Sequence, residues 1–177
     1  MSDAQCVQFL QWALPEEPYT LTIIWKLKLA AQFPALTLRI LATDIHPAML
    51  ARAHCARFSA GSLRELPDRW RAAAFVRQDG LYRLREPYKE AVTVDSHDIR
   101  SGPPDGPFDL ILCRNLVFTY FEQALQRAIG ERLARSLQPG GALVLGAHEQ
   151  LPAGIGGFAP WDDRRGIYRC PAVAPES

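Results

Sequence analysis

Polar residues able to do chemistry stand at four points, each just past a short apolar run. They are Asp44 after Leu36–Ala42, Asp98 after Ala91–Val94, Arg114 and Asn115 after Asp109–Leu112, and His148 with Glu149 after Ala142–Gly146. An aspartate at the end of a second strand can accept two hydrogen bonds from the vicinal hydroxyls of a ribose. It can equally cap a helix, since His46-Pro47 follow. Asp98 beside Ile99 suits an adenine, because the carboxylate can accept from an exocyclic amine while the aliphatic chain packs the ring. Arg114 and Asn115 are candidates for site chemistry; as plainly, Arg114 can pair with a carboxylate and Asn115 can cap the next helix. His46, His54, His97 and His148 are scattered and read as structural or surface groups. No Ser-His-Asp set stands out, and no metal site is expected.

The elements that position these residues alternate. The run Asp109-Leu110-Ile111-Leu112 has the form of a parallel strand covered on both faces. Similar runs lie near 36–42, 91–94 and 142–146. Cys6–Leu10 can be a short first strand. A helix is expected from Glu16-Glu17-Pro18, because acids and an early proline favour a helix start. Tyr19, Ile23, Leu27, Ala30 and Ala31 would share its buried face, and Phe33-Pro34 would stop it. A short helix should follow at Pro47–Ala56. An amphipathic one, with Phe121, Leu125, Ala128, Ile129 and Leu133 on one side, should end at Leu137, with Gln138-Pro139-Gly140-Gly141 as its stop. Residues 57–90 break the rhythm: turns of helix near Ser62–Pro67 and Arg69–Val76, then a hairpin turn at Asp79-Gly80. They read as an inserted, mixed and more polar subdomain on top of the sheet, or else as a plain surface excursion. Gly166–Cys170 reads as an antiparallel edge strand. The fold class is therefore α/β: a Rossmann-like, doubly wound, mainly parallel sheet, with all of 1–177 in one domain. On such a sheet, ligands bind outside the carboxyl ends of the strands, where all four polar tips fall.

A chain of 177 residues suits one domain with a sizeable core. The net charge of +1 gives no electrostatic case for nucleic acid or an anionic membrane. No apolar run approaches the roughly 18 residues of a membrane span. Cys6, Cys55, Cys113 and Cys170 are widely spaced, as in a reduced cytoplasmic protein.

Taken together, EEPYTL (16–21), LATDIHPAMLARA (41–53), DGPFDLILCRNLVFTYF (105–121) and LARSLQPGGALVLGAHEQL (133–151) give the chain a family likeness. It resembles the S-adenosylmethionine-binding domain of the chemotaxis receptor methyltransferase (CheR) family, over roughly Pro15 to Cys170. The resemblance implies a methyltransferase with S-adenosylmethionine as donor. It also implies a protein acceptor, a chemoreceptor-like chain whose glutamate side chains become methyl esters. By position, Glu17 matches a cofactor-contacting acid, and Asp44, with Ile45 beside it, the ribose acid. Asp98 and Ile99 match an Asn-Leu pair beside adenine, with Asp in place of Asn. Asn115 and Leu116 match a pair at the cofactor. Tyr120 matches the tyrosine implied to sit by the transferred methyl, in a segment one residue longer here. Arg114 and Tyr120 are the catalytic candidates.

Two departures stand beside the likeness. The family has a Gly-Cys-Ser/Ala-Thr/Ser-Gly turn directly before EEPY, where this chain reads Gln11-Trp12-Ala13-Leu14-Pro15. Glycines let a backbone approach a ligand closely, so the tryptophan, leucine and proline should obstruct the methionine half of the cofactor. The family's N-terminal helical domain is also expected to be missing. Two rival readings follow: a truncated or degenerate, non-catalytic cofactor-binding relative, or a methyltransferase for a different acceptor. A dehydrogenase is weaker, since no GxGxxG follows a first strand.

Overall fold

Strand alternation shows how the central sheet is covered. The computed structural model describes residues 16–162 and 164–171, and the backbone of 6–11. Its main sheet has seven strands. The chain enters at β1 (Cys6–Gln11) and continues through helix α1 (Glu16–Ile24) to β2 (Arg39–Asp44) and helix α2 (Pro47–Cys55). After the insertion come β6 (Val92–Ser96), β7 (Phe108–Arg114), a single turn α4 (Val117–Tyr120) and helix α5 (Gln123–Ser136). β8 (Leu137–Leu145), β9 (Ala159–Pro160) and β10 (Ile167–Arg169) complete it. Within β7, Ile111 and Cys113 join Ile129 and Leu133 of α5 and Leu143 and Leu145 of β8 in one buried cluster. The alternate residues Leu110 and Leu112 pack with Ile40 and Ala42 of β2 and Leu21 of α1. Successive side chains of a strand point to opposite faces, so helices lie on both sides of the sheet.

The spatial order is β6-β2-β1-β7-β8-β10-β9. The pairs β6–β2, β2–β1, β1–β7 and β7–β8 are parallel, whereas β10 runs antiparallel to both β8 and β9. From β1 the chain winds out through β2 to β6, then returns to the other side of β1 and winds out through β7 to β8. The direction of winding reverses between β1 and β7, and at that point the crevice beyond the carboxyl ends opens. The short first run, the least distinctive in sequence, is thus the middle one of the five parallel strands.

Residues 57–90 form their own layer. β3 (Arg57–Phe58), β5 (Leu81–Leu84) and β4 (Phe75–Gln78) make a three-stranded antiparallel sheet, with helix α3 (Asp68–Ala74) leading into β4. Asp79 and Gly80 join β4 to β5 with φ of 52° and 76°, the pair of positive angles that a two-residue hairpin of this twist requires. Residues 61–65 are turns rather than a helix. Phe58, Leu63, Ala74, Phe75, Leu84 and Tyr88 close over Tyr19 and Ile23 of α1. α1 is therefore a shared wall: Leu21 meets the main sheet, while Tyr19 and Ile23 meet the inserted one.

Three local expectations change. The first helix ends at Ile24 and runs on as a π-helical turn, Trp25–Leu29, which rotates Leu27 out to 38% exposure. A wider turn shifts every later residue around the axis, so the buried face stops at Ile23. The run at 36–42 becomes a strand only at Arg39 and extends through Asp44. Gln138-Pro139-Gly140-Gly141 follows the helix end but belongs to β8, whose pairing jumps from Phe108↔Leu137 to Leu110↔Ala142. The Gly140 N–H donates to the Cys170 carbonyl across this bulge.

Candidate active site at the carboxyl edge of the sheet

Asp44 ends β2, next to the reversal point. Its Oδ1 accepts from the His46 backbone N–H at 2.7 Å. This Asx turn carries the chain into α2, whose N-cap is His46 rather than Asp44. Burial raises the Asp44 pKa above the ordinary carboxylate value, against the opposing pull of His46 and the Ile45 N–H. A half-buried carboxylate is thereby held at a strand tip by the backbone N–H groups of Ile45 and His46. Ile45, directly after it, is 39% exposed.

One strand further out, Asp98 caps a turn of 3-10 helix at Ile99–Ser101, accepting from the Arg100 N–H at 2.9 Å. The Arg100 guanidinium donates to both Asp98 oxygens, through Nε at 2.9 Å and Nη2 at 2.6 Å. These side-chain hydrogen bonds, with the backbone one, hold the Asp98 carboxyl below the usual range. Ile99 is only 6% exposed and packs in the cluster with Phe108 and Leu133. Its side chain faces the core, and Asp98 and Arg100 are the outward groups of this tip.

On the other side of β1, Arg114 ends β7 opposite Gln11. Its guanidinium donates to Glu17 Oε1 in a close ion pair. Of the two readings open for Arg114, the carboxylate partner is the one present, and it ties the start of α1 to the tip of β7. Beside it, Glu16 lies 3.6 Å from Arg52 of α2. Asn115 does not cap: the N-cap of α4 is Leu116, with no side-chain hydrogen bond. Asn115 instead takes a left-handed φ of 53°, a conformation that asparagine tolerates better than most residues. Leu116 is buried, and Tyr120, at the end of α4, is 74% exposed.

Glu149, at a polar strand tip to which the sequence attaches no role, joins four different residues of this edge. It is 5% exposed, and its two oxygens accept from Asn115, Leu116, Thr119 and Gly146. Its partners just past β7 and on α4 lie 30 to 34 residues away, so no local spacing announces it. The only sequence signal was a glutamate at a polar strand tip.

The tips of β2, β6, β7 and β8 thus gather Asp44, Asp98, Arg114, Asn115 and Glu149 on one edge, with Glu17 joined through Arg114. Residues 12–15, the altered turn, lie outside the described residues. Among the described residues no group of three or more His, Cys, Asp or Glu side chains could hold a metal ion, and no helix is long and apolar enough to cross a membrane.

The chain is similar in sequence to proteins of one family. The family model described as CheR methyltransferase, SAM binding domain, matches residues 14–162. A chemotaxis protein methyltransferase of Listeria innocua is 34% identical over 143 residues, covering 80% of this chain and 53% of its own length. Chemotaxis protein methyltransferase 2 of Vibrio cholerae is 30% identical over 148 residues, 79% of this chain and 51% of its own. An uncharacterized 104.1 kDa protein of Rhodobacter capsulatus is 29% identical over 167 residues, 92% of this chain but 17% of its own length. The chain spans about half the length of the chemotaxis relatives it matches.

Proposed function

Because this chain belongs to the CheR methyltransferase family, of which it carries the SAM binding domain, we propose that it is an S-adenosylmethionine-dependent methyltransferase acting on carboxylate side chains of a protein. The observation that carries the reading is the placement of Asp44 and the Asn115 turn on either side of the point where the sheet's winding reverses. That crevice is where an open α/β sheet takes a nucleotide-like ligand.

The residues present fit such a ligand. The two oxygens of Asp44 offer about four acceptor sites, more than the His46 and Ile45 N–H groups use, which leaves sites for ribose hydroxyls, with Ile45 exposed beside it. Asp98 holds the adenine end, giving up one of the Arg100 donors to accept from the amine. Ile99 supports that tip from the core, as Leu116 does at the β7 tip. Asn115 and Glu17 border the methionine side. Arg114 acts by pinning Glu17 and so α1, and Tyr120 offers an exposed ring toward the acceptor. When bound, the cofactor supplies an electrophilic methyl group on a sulfonium. A carboxylate acceptor needs no base, so the chain's task is to hold the partners in line and exclude water. The acceptors are chemoreceptor-like glutamates, and the location is cytoplasmic. The free thiols of Cys55, Cys113 and Cys170 support a reducing compartment.

Calorimetric titration with S-adenosylhomocysteine tests the cofactor site. Binding to the wild type, weakened at least roughly tenfold in Asp44→Ala, is expected from the loss of charge-assisted hydrogen bonds to the ribose. No binding to a folded wild-type chain would reject the reading and favour a degenerate, non-catalytic relative. Transfer of a labelled methyl group to receptor glutamates then tests the acceptor.

A further inference from the structure

We propose that Glu149 is a positioning residue for the cofactor: its buried carboxylate fixes the tips of β7 and β8 beyond the point where the sheet itself stops holding them. The inference rests on the cofactor reading above and adds a residue to it. The parallel ladder between the two strands ends at Cys113↔Leu145. Past that pair the two strands no longer hold each other, β7 keeps only its pairing with β1 at Arg114, and Glu149 bridges the two tips. Its Oε2 accepts from the Gly146 N–H at 2.7 Å and the Asn115 N–H at 2.6 Å. Its Oε1 accepts from the Leu116 N–H at 3.2 Å and the Thr119 hydroxyl at 2.6 Å. The Glu149 N–H donates to the Gly146 carbonyl at 2.9 Å, which folds the acid back over its own strand.

The fit is specific in three ways. The left-handed Asn115 turns two successive N–H groups toward one anion, the geometry of a backbone nest. The donors are three backbone N–H groups and a hydroxyl, so the carboxylate holds main chain rather than neutralising a cation. Gly146 leaves the space: a Cβ there would lie 2.3 Å from Asn115 Oδ1 and 2.7 Å from Glu149 Oε2. Asn115 and Leu116 therefore owe their conformation to a residue more than 30 positions away. An amide in place of the acid would turn an N–H₂ group toward N–H donors and release part of the turn.

The test is titration of S-adenosylhomocysteine, with thermal melting alongside, for four forms of the 177-residue chain: wild type, Glu149→Gln, Thr119→Val and Ile40→Val. Ile40 is buried at the amino end of β2 and serves as a control for destabilisation alone. Glu149→Gln should lose affinity roughly tenfold or more, the scale on which groups that orient a site act, and more than its fall in melting temperature explains by comparison with Ile40→Val. Thr119→Val, which removes one contact from an exposed position, should melt near wild type and bind several-fold more weakly. If Glu149→Gln fails to fold, Thr119→Val decides the matter alone. Wild-type affinity in Thr119→Val, or a loss in Glu149→Gln no larger than in Ile40→Val, overturns the inference while the cofactor reading stands. Absence of binding by the wild type overturns both.

Discussion

Asp44 shows how a single side chain can serve a ligand at some cost to the fold. Its carboxyl is raised by burial, so the folded state holds the proton more tightly than the unfolded one. Stability from such a group is present at low pH and lost as pH rises through the folded pKa; at neutral pH the ionised Asp44 is a burden. Asp44→Asn keeps an oxygen for the His46 N–H and removes the charge. Its unfolding free energy at pH 7 should match or exceed that of the wild type, while S-adenosylhomocysteine binding weakens about tenfold or more. Urea denaturation and calorimetry on the same samples check both halves. Asp44 was legible in sequence because its position at the end of a second apolar run carries the meaning. The reach of Glu149 was not, since two strands must pair before its partners come near. Asn115 lay between these cases: its place at the tip could be read, but its left-handed backbone could not.

At the scale of elements, α1 is the piece on which two cores depend. Leu84, fully buried in the inserted sheet, packs in the same cluster as Tyr19 and Ile23. Leu84→Ala should destabilise the protein by about 2–5 kcal/mol, the usual range for a buried leucine that leaves a cavity, as read from the midpoint shift in urea. The Tyr19 hydroxyl also donates to the Ala53 carbonyl of α2 at 2.7 Å, and Tyr19→Phe should cost about 1 kcal/mol on the same measurement. The alternation of strands with helices was readable from apolar runs, and so was the Asp79-Gly80 turn, whose residue types match its backbone angles. The central place of β1 was not, because six residues acquire that role only from neighbours on both sides. The π-helical turn left no mark either: Leu27 has the spacing of a core residue, and only the widened turn moves it outward.

The whole molecule should be more sensitive to base than to mild acid. Burial pushes the Tyr19 hydroxyl up to about 12 from 10.0, with the nearby Glu86 adding to the effect. Burial, with Glu149 beside it, pushes the Cys113 thiol up to about 12 from 9.0. Both groups are neutral when folded and would rather ionise when unfolded. The stability they contribute is complete below about pH 9 and is lost as pH climbs from 9 toward 12. Melting temperatures measured from pH 8 to 11 should fall, and the decline should be shallower in Cys113→Ala relative to that variant's own value at pH 8. Equal slopes would show that Cys113 does not contribute.

The shared wall also has a thermodynamic consequence. Glu17, at one end of α1, is bound to the tip of β7, while Tyr19 and Ile23 are held by the inserted sheet. A protein that docks on the insertion and moves this helix changes the free energy of filling the crevice at the strand tips. Linkage makes the effect mutual: whatever factor docking imposes on the affinity of the first ligand, that ligand imposes on docking. Any partner that shifted α1 from the inserted sheet would be coupled in this way to a ligand at the strand tips, through fewer than three turns of helix.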